Sequence, residues 1–447
     1  MNAAAAGGAF RRWAPWAIAA ALGFVLAAEA RTIALDPGQP WPALEPGDEL
    51  VLRPGTHAGP WTLDVPGVGV RAEPGAVIDG GGLGTVLTVT APGVRLTDLE
   101  IVGVGPEADL YAPHAALALF GAHGATVTGL RAHGATAGVH VEDAADVVLA
   151  DVDLLGLGRG PGITAYLTPG LRLEGGRIDG FLDGAYLERA DGALVVGVTL
   201  RGNVRYGLHV MFTTGAVLRG NVVADGGVGS AVMYGRDAVV EGNAMTGHRG
   251  PMAFGLLLQE ERDAVLRDNE LRGNAIGLLL VAAPGAEATG HRIERNGIGV
   301  LVDRVPPGTA ADATSVVLAE HVFVANAADL AVADADAALA LRGNRFDRAP
   351  ALDLDGDGVL DLPYVATSAF AARAARQSDL MLLAYGPGIA LWQRLEANVP
   401  GLRASAFADP TPRRAPPVER PPGAGRGAAW ASAVLAVIGL AAARGWP

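Results

Sequence analysis

The chain repeats itself about every 22 residues. Gly207-Leu208-His209-Val210-Met211 and Gly229-Ser230-Ala231-Val232-Met233 are offset by 22, and the segments that follow them, Ala216 to Asn221 and Ala238 to Asn243, keep that offset. The next copy, Gly255 to Leu258 with Asp263 to Asn269, lies 26 further on, so four extra residues fall in the loop around Arg249 to Phe254. Asn274 to Gly277 and Asn296 to Gly299 restore 22, and Gly184, Gly162 and Gly138 carry the ladder upstream at offsets of 23, 22 and 24. A unit this short cannot bury a core alone, so a sustained period of this length specifies a solenoid in which each repeat covers its neighbours. Apolar residues alternate within each repeat and Gly, Asn or Asp recurs every few residues, which sets helical repeats aside. The expected fold is all-β: a right-handed parallel β-helix, one rung per repeat, with strands stacked about 4.8 Å apart.

Such a core needs small aliphatic side chains and many turns. The chain of 447 residues has 63 Gly and 50% hydrophobic residues, but only 5% aromatics. Asn221, Asn243 and Asn269 recur in equivalent places and are expected at turns that tolerate left-handed backbone. A formal net charge of −13 argues against a nucleic-acid surface, which would need a basic stripe. With no Cys, thiolate metal sites, disulfides and thiol nucleophiles are excluded, and soft-metal chemistry falls to Met and His.

The solenoid is expected over residues 31–350, with an Asp-rich loop and cap over 351–405 and a Pro-rich linker over 406–426. Residues 1–30 read as an export signal: Arg11 and Arg12 precede an apolar run from Trp13 to Ala28, and Ala28-Glu29-Ala30 has the small-x-small form of a cleavage site. The residues around the paired arginines fit the Tat route poorly, so Sec export is expected. Gly427 to Ala443, an apolar stretch of 17 residues ending before Arg444, is expected to form a short C-terminal membrane anchor. The folded part is then periplasmic.

Strand alternation assigns the faces. After each ladder glycine the first and third residues are apolar and face the core, as in Val139/Val141, Leu208/Val210 and Leu256/Leu258. The second and fourth must face outward. This gives one column of His140, Thr164, Tyr186, His209 and Ala231, and beside it another of Glu142, Tyr166, Glu188, Met211, Met233 and Gln259. Four of the six Met, Met211, Met233, Met245 and Met252, share one 44-residue window, 209–252, with His209 and His248. Thioethers with imidazoles suit Cu(I) and few other physiological metals, so His209, Met211, Met233, His248 and Met252 are candidate copper ligands. His140, Glu142, Tyr166, Tyr186, Glu188 and Gln259 are candidates for docking a partner.

Asp183-Gly184-Ala185-Tyr186-Leu187, Arg205 to Phe212 and Ala231 to Tyr234 resemble successive signature rungs of the NosD family, as do Asp353 to Gly358 with Asp361, Pro363-Tyr364 and the late Asp409-Pro410. The likeness covers most of the mature chain. It implies a periplasmic protein, not an enzyme, that works with the permease and ATPase of an ABC transporter to assemble the copper centre of nitrous oxide reductase. A copper chaperone is a further expected partner. The chain differs in Phe212-Thr213-Thr214 after the Met and in its hydrophobic tail.

Asp353, Asp355, Asp357 and Asp361 stand at positions 1, 3, 5 and 9 of an EF-hand-like calcium loop, but Tyr364 occupies position 12, where a bidentate Glu is expected. The alternatives to copper maturation are a polysaccharide-binding or polysaccharide-modifying β-helix and a metal-free docking scaffold. A lyase or hydrolase needs paired carboxylates, whereas Glu142 and Glu188 are two rungs apart, about 10 Å by strand spacing, with no basic residue in their column.

Overall fold

The computed structural model describes residues 30–250, 252–303, 316–333, 339–350 and 352–366, and parts of 368–416. Residues 1–29 of the expected export signal and the apolar stretch 427–443 lie outside the described residues. Among the described residues, no helix is long and apolar enough to cross a membrane.

The chain winds into a right-handed parallel β-helix of about 12 turns, each of about 23 residues. Among the described residues its three long parallel sheets have 14, 12 and 11 strands, and each strand pairs with its counterpart one rung away. The glycine ladder opens the strands of the 12-stranded sheet, among them Asp183–Glu188, Tyr206–Met211, Val228–Met233, Phe254–Gln259 and Ile276–Val281. The reason for glycine is space: a Cβ on Gly229 would stand 2.0 Å from the carbonyl oxygen of Gly255, and one on Gly207 would stand 2.1 Å from Val223 Cγ1. Leu208, Val210, Leu256 and Leu258 join one continuous core running through the solenoid.

The Asn ladder is real but is not where the backbone turns left-handed. Positive φ falls one residue earlier, at Gly220 (62°), Gly242 (63°) and Asp268 (51°), while the Asn side chains point inward and are buried. Each Asn Oδ1 accepts the backbone N–H of the ladder residue one rung before it: Asn221 N to Asn243, 2.9 Å, and Asn243 N to Asn269, 2.9 Å. Each Nδ2 donates to a carbonyl, as from Asn243 to Leu218 at 2.9 Å. Buried turn amides must find partners, and this column supplies them rung after rung.

Two rungs break the rule. His291 and His321 take the ladder positions and accept from Asn269 N (3.1 Å) and His291 N (3.0 Å) through Nδ1. Their protons therefore sit on Nε2, where neither finds an acceptor among the described residues. Burial lowers the pKa of both, His291 to about 3, so the stacked rings (4.8 Å between centroids) are neutral. His291→Asn restores the donor that the other rungs use, and is expected to raise stability by about 1 kcal/mol in denaturant titration. A loss of stability would mean that ring packing outweighs the missing bond.

The far end corrects one boundary. Residues 407–416, read above as the start of a linker, return to the solenoid. Ala408–Asp409 pairs with Tyr364–Val365, and Arg413–Arg414 extends the 11-stranded sheet beside Arg345–Phe346. Asp409 ends the Asn column, its Oδ2 accepting both Asn344 N and Asn344 Nδ2 at 2.8 Å.

Candidate functional site

The two outward columns are in register. His140, Thr164, Tyr186, His209 and Ala231 pair rung to rung, as do Glu142, Tyr166, Glu188, Met211, Met233 and Gln259. Met211 and Met233 are direct partners on neighbouring strands.

Outward, however, does not mean exposed, and here the sequence reading needs correcting. His140, Thr164, Tyr186, Glu188 and His209 are all buried, and two other segments lie over parts of the sheet. Over the upstream rungs runs the loop of residues 103–114. Its Leu110 carbonyl accepts from Thr164 Oγ1 (3.3 Å), and its Tyr111 hydroxyl contacts that of Tyr186 (3.1 Å) and donates to Glu188 Oε2 (2.9 Å). Over the downstream rungs lies helix α1 (Ala369–Arg376), capped by Ser368 Oγ, which accepts from Ala371 N. Phe370, Ala371 and Ala374 pack on Ala231, Leu257, Leu279, Leu301 and Ala331 to make a second, smaller core. A signal for this was present: Ile276–Val281 is apolar at nearly every position, the mark of a strand buried on both faces.

Between these covers lies the His/Met group. His209 is 7% exposed, and its ring sits between Tyr186 (centroids 5.0 Å apart) and Tyr206 (4.3 Å). Its Nδ1 lies 3.2 Å from Asp183 Oδ2, and Arg205 grips the same carboxylate through Nε (2.7 Å) and Nη2 (2.5 Å). Burial alone would raise the pKa of Asp183, but its hydrogen bonds to Arg205 and His209 outweigh it and lower the value. Met211 and Met233 are half-buried, and the Tyr186 hydroxyl reaches Met211 Sδ at 3.6 Å. Sequence reasoning missed Asp183 and Arg205. The available sign was an acidic residue at the head of a strand where other rungs carry Val228, Ile276 or Ile298.

Upstream, Tyr111, Glu142, Tyr166 and Glu188 line a cleft of about 310 Å³. Tyr186 also donates to Glu188, and burial together with that bond raises the Tyr186 hydroxyl above its ordinary value. His140, with its Nε2 3.3 Å from Glu142 Oε2, has its pKa lowered by burial. Gln259 Nε2 donates to the Tyr234 hydroxyl at 2.5 Å.

The structure does not bring the other copper candidates into this group. His248 is fully buried and takes an Asn position in a second ladder: its backbone N–H donates to Asn274 Oδ1, and its ring nitrogens meet the carbonyls of Gly226 (3.3 Å) and Val223 (3.2 Å). It is a structural ladder residue, turned into the solenoid. Met245 lies in the core, and Met252 is exposed on the inserted loop before Phe254.

At the C-terminal end, Asp353, Asp355 and Asp357 bring carboxylate oxygens within 4.8 Å of one another. Asp361 instead accepts from Leu354 N (2.6 Å). Tyr364, at the closing position, turns into the solenoid, where its ring packs on Phe346 (4.2 Å) and its hydroxyl donates to Asp329 Oδ2 (3.0 Å).

No curated protein matches this chain. Among solved structures it is similar to the catalytic unit of a thermostable alpha-1,3-glucanase from Streptomyces thermodiastaticus, with 14% identity over 66% of this chain and 62% of that one, at a TM-score of 0.53. The chain thus spans under two thirds of that unit. It is also similar to the periplasmic alginate epimerase AlgG (12% identity, 68% of this chain and 77% of that one, TM-score 0.43) and to the A-module of an Azotobacter vinelandii mannuronan C-5 epimerase (15% identity, 67% and 87%, TM-score 0.41). At these identities the likeness concerns the fold alone. A family model described as "Periplasmic copper-binding protein (NosD)" matches residues 151–305. Over those residues, which carry His209, Met211 and Met233, the chain is therefore NosD-like.

Proposed function

We propose that this protein is a periplasmic accessory factor in maturation of the copper centre of nitrous oxide reductase, and that His209, Met211 and Met233 hold Cu(I) as cargo. The observation that carries this reading is the in-register Met211/Met233 pair beside His209 on one outer face, within the span that resembles copper-binding proteins. Two thioethers and an imidazole form a donor set suited to Cu(I), and no thiol in the chain competes with it. An ABC transporter permease with its ATPase, a copper chaperone and the reductase are the proposed partners, and the faces around Glu142, Tyr166 and Gln259 are the proposed docking surface. An export signal, proposed from the sequence, would carry the protein to the periplasm, and the proposed C-terminal anchor would hold it at the membrane.

In a host that carries nitrous oxide reductase, deletion of the gene is expected to leave reductase that accumulates without its catalytic copper centre. Fully metallated, active reductase in that strain would overturn the reading.

The tyrosine-lined cleft favours a second reading, a sugar-binding face, but not hydrolysis: its two carboxylates lie two rungs apart, and Glu188 is held by two phenols. We also propose that Asp353, Asp355 and Asp357 bind calcium weakly. With position 12 turned away, affinity is expected near the 10⁻⁴ to 10⁻³ M of extracellular calcium modules. Calorimetric titration of calcium into the protein and its Asp353→Asn variant checks this; identical heats would refute it.

A further inference from the structure

Asp183 and His209 are 26 residues apart in sequence and meet across one rung. The Asp183 carboxylate has no solvent exposure; it receives two hydrogen bonds from Arg205 and one from Tyr206 N (3.3 Å). Held by a guanidinium in this way, it is an anion and can only accept. The contact at His209 Nδ1 therefore requires the imidazole to bring the proton. A neutral ring with its proton on Nδ1 carries its lone pair on Nε2, and Nε2 of His209 makes no hydrogen bond among the described residues. Tyr186 and Tyr206 flank the ring, with interplanar angles of 71° and 35°, and define its plane. Met211 lies two residues along the same strand, so its side chain leaves from the same face about 6 to 7 Å away.

From this geometry we infer that Asp183, clamped by Arg205, is a positioning residue that selects the Nδ1–H tautomer of His209 and thereby presents Nε2 as a ligand beside Met211 and Met233. The inference rests on the copper reading above for what Nε2 meets. Its claim about the tautomer stands on the hydrogen bonds alone. Carboxylates behind metal-binding imidazoles act this way generally: they set which nitrogen is free and raise its basicity. The same clamp explains why an Arg lies beside a proposed cation site. Its charge is spent on Asp183, and its guanidinium is drawn back over the Tyr206 ring, 5.5 Å from the centroid.

The test uses the full chain with ¹⁵N-labelled histidine and no copper. Long-range ¹⁵N–¹H correlation is expected to show His209 protonated at Nδ1 in the wild type, and shifted towards Nε2–H in Asp183→Asn. The wild-type spectrum needs no variant to fold, and Nε2–H there would overturn the inference outright. Anaerobic Cu(I) competition is then expected to show a 10- to 100-fold loss for Asp183→Asn, and no further loss when Asp183→Asn is added to His209→Ala. An equal loss in both backgrounds would mean that Asp183 acts through the fold and not through His209, and would also overturn it. Nδ1–H in a wild type that binds no Cu(I) would sink the copper reading while leaving Asp183 as the residue that sets the tautomer.

Discussion

Replacing Met211 and Met233 together by Leu is expected to weaken Cu(I) binding by more than about 100-fold, because losing even an indirect partner behind one ligand costs 10- to 100-fold. Leu conserves volume and removes only the sulfur, so the cost in stability should stay under about 1.5 kcal/mol. Adding His209→Ala should abolish the remaining binding. That change is less innocent than an outward position suggests: the ring is buried between Tyr186 and Tyr206 and is bonded to Asp183, so a further 1 to 3 kcal/mol of stability is expected to go with it. The measurement is anaerobic titration against a competing Cu(I) chelator, with denaturant midpoints recorded for each variant. Unchanged affinity in Met211→Leu/Met233→Leu would mean that the thioether pair does not hold the metal.

Glu261→Gln is expected to stabilise the protein at pH 8 by as much as about 3 kcal/mol. Glu261 is buried at a rung corner; Oε2 accepts from Gly235 N at 2.8 Å, while Oε1 has no partner at full hydrogen-bond distance among the described residues. Burial is the main cause of a pKa raised to about 7 from an ordinary 4.5, with nearby Asp237 adding to it against the backbone hydrogen bonds. The sign follows from proton counting. Between about pH 4.5 and 7 the folded chain keeps a proton that the unfolded chain has released, so stability falls as pH rises through that window. It is full below 4.5 and level again above 7. The rise from 4.5 to about 7, at about 1.36 kcal/mol for each tenfold change in proton affinity, sets the upper bound. Gln keeps the acceptor for Gly235 N without the charge, so its denaturant midpoint should lack that slope. Buried histidines such as His291 and His321 contribute the opposite slope below about pH 6.5 but do so equally in both proteins, so a midpoint difference between wild type and Glu261→Gln that stays level from pH 4.5 to 8 would show that the carboxyl ionises without cost, by rearrangement or water entry.

The failed readings share a pattern. His248 looked like a ligand because it lay in a window with four Met, but it substitutes for Asn in a ladder and meets two carbonyls. The sequence pattern that reveals this is its alignment with Asn274 and Asn296, which the spacing of Met obscures. The Asn residues themselves were legible as a column. Which torsion each adopts was not, since Asn is tolerated both in left-handed turns and in buried amide ladders.

By itself, the sequence determined the rung length, the core-facing alternation and the pairing of Met211 with Met233. Each follows from a short-range rule: a period of two along a strand, and one of about 22 between strands that must pair in register. Only the tertiary structure decided what lies over the outward face. Tyr111 reaches Tyr186 from 75 residues away, α1 returns from beyond the last rungs to cover Ala231 and Leu257, and Asp183 finds His209 across a rung through a side chain that follows no period. Those contacts form because a half-apolar outer sheet and a buried carboxylate each demand a partner. The demand can be read locally, but which distant segment answers it depends on how the whole chain closes.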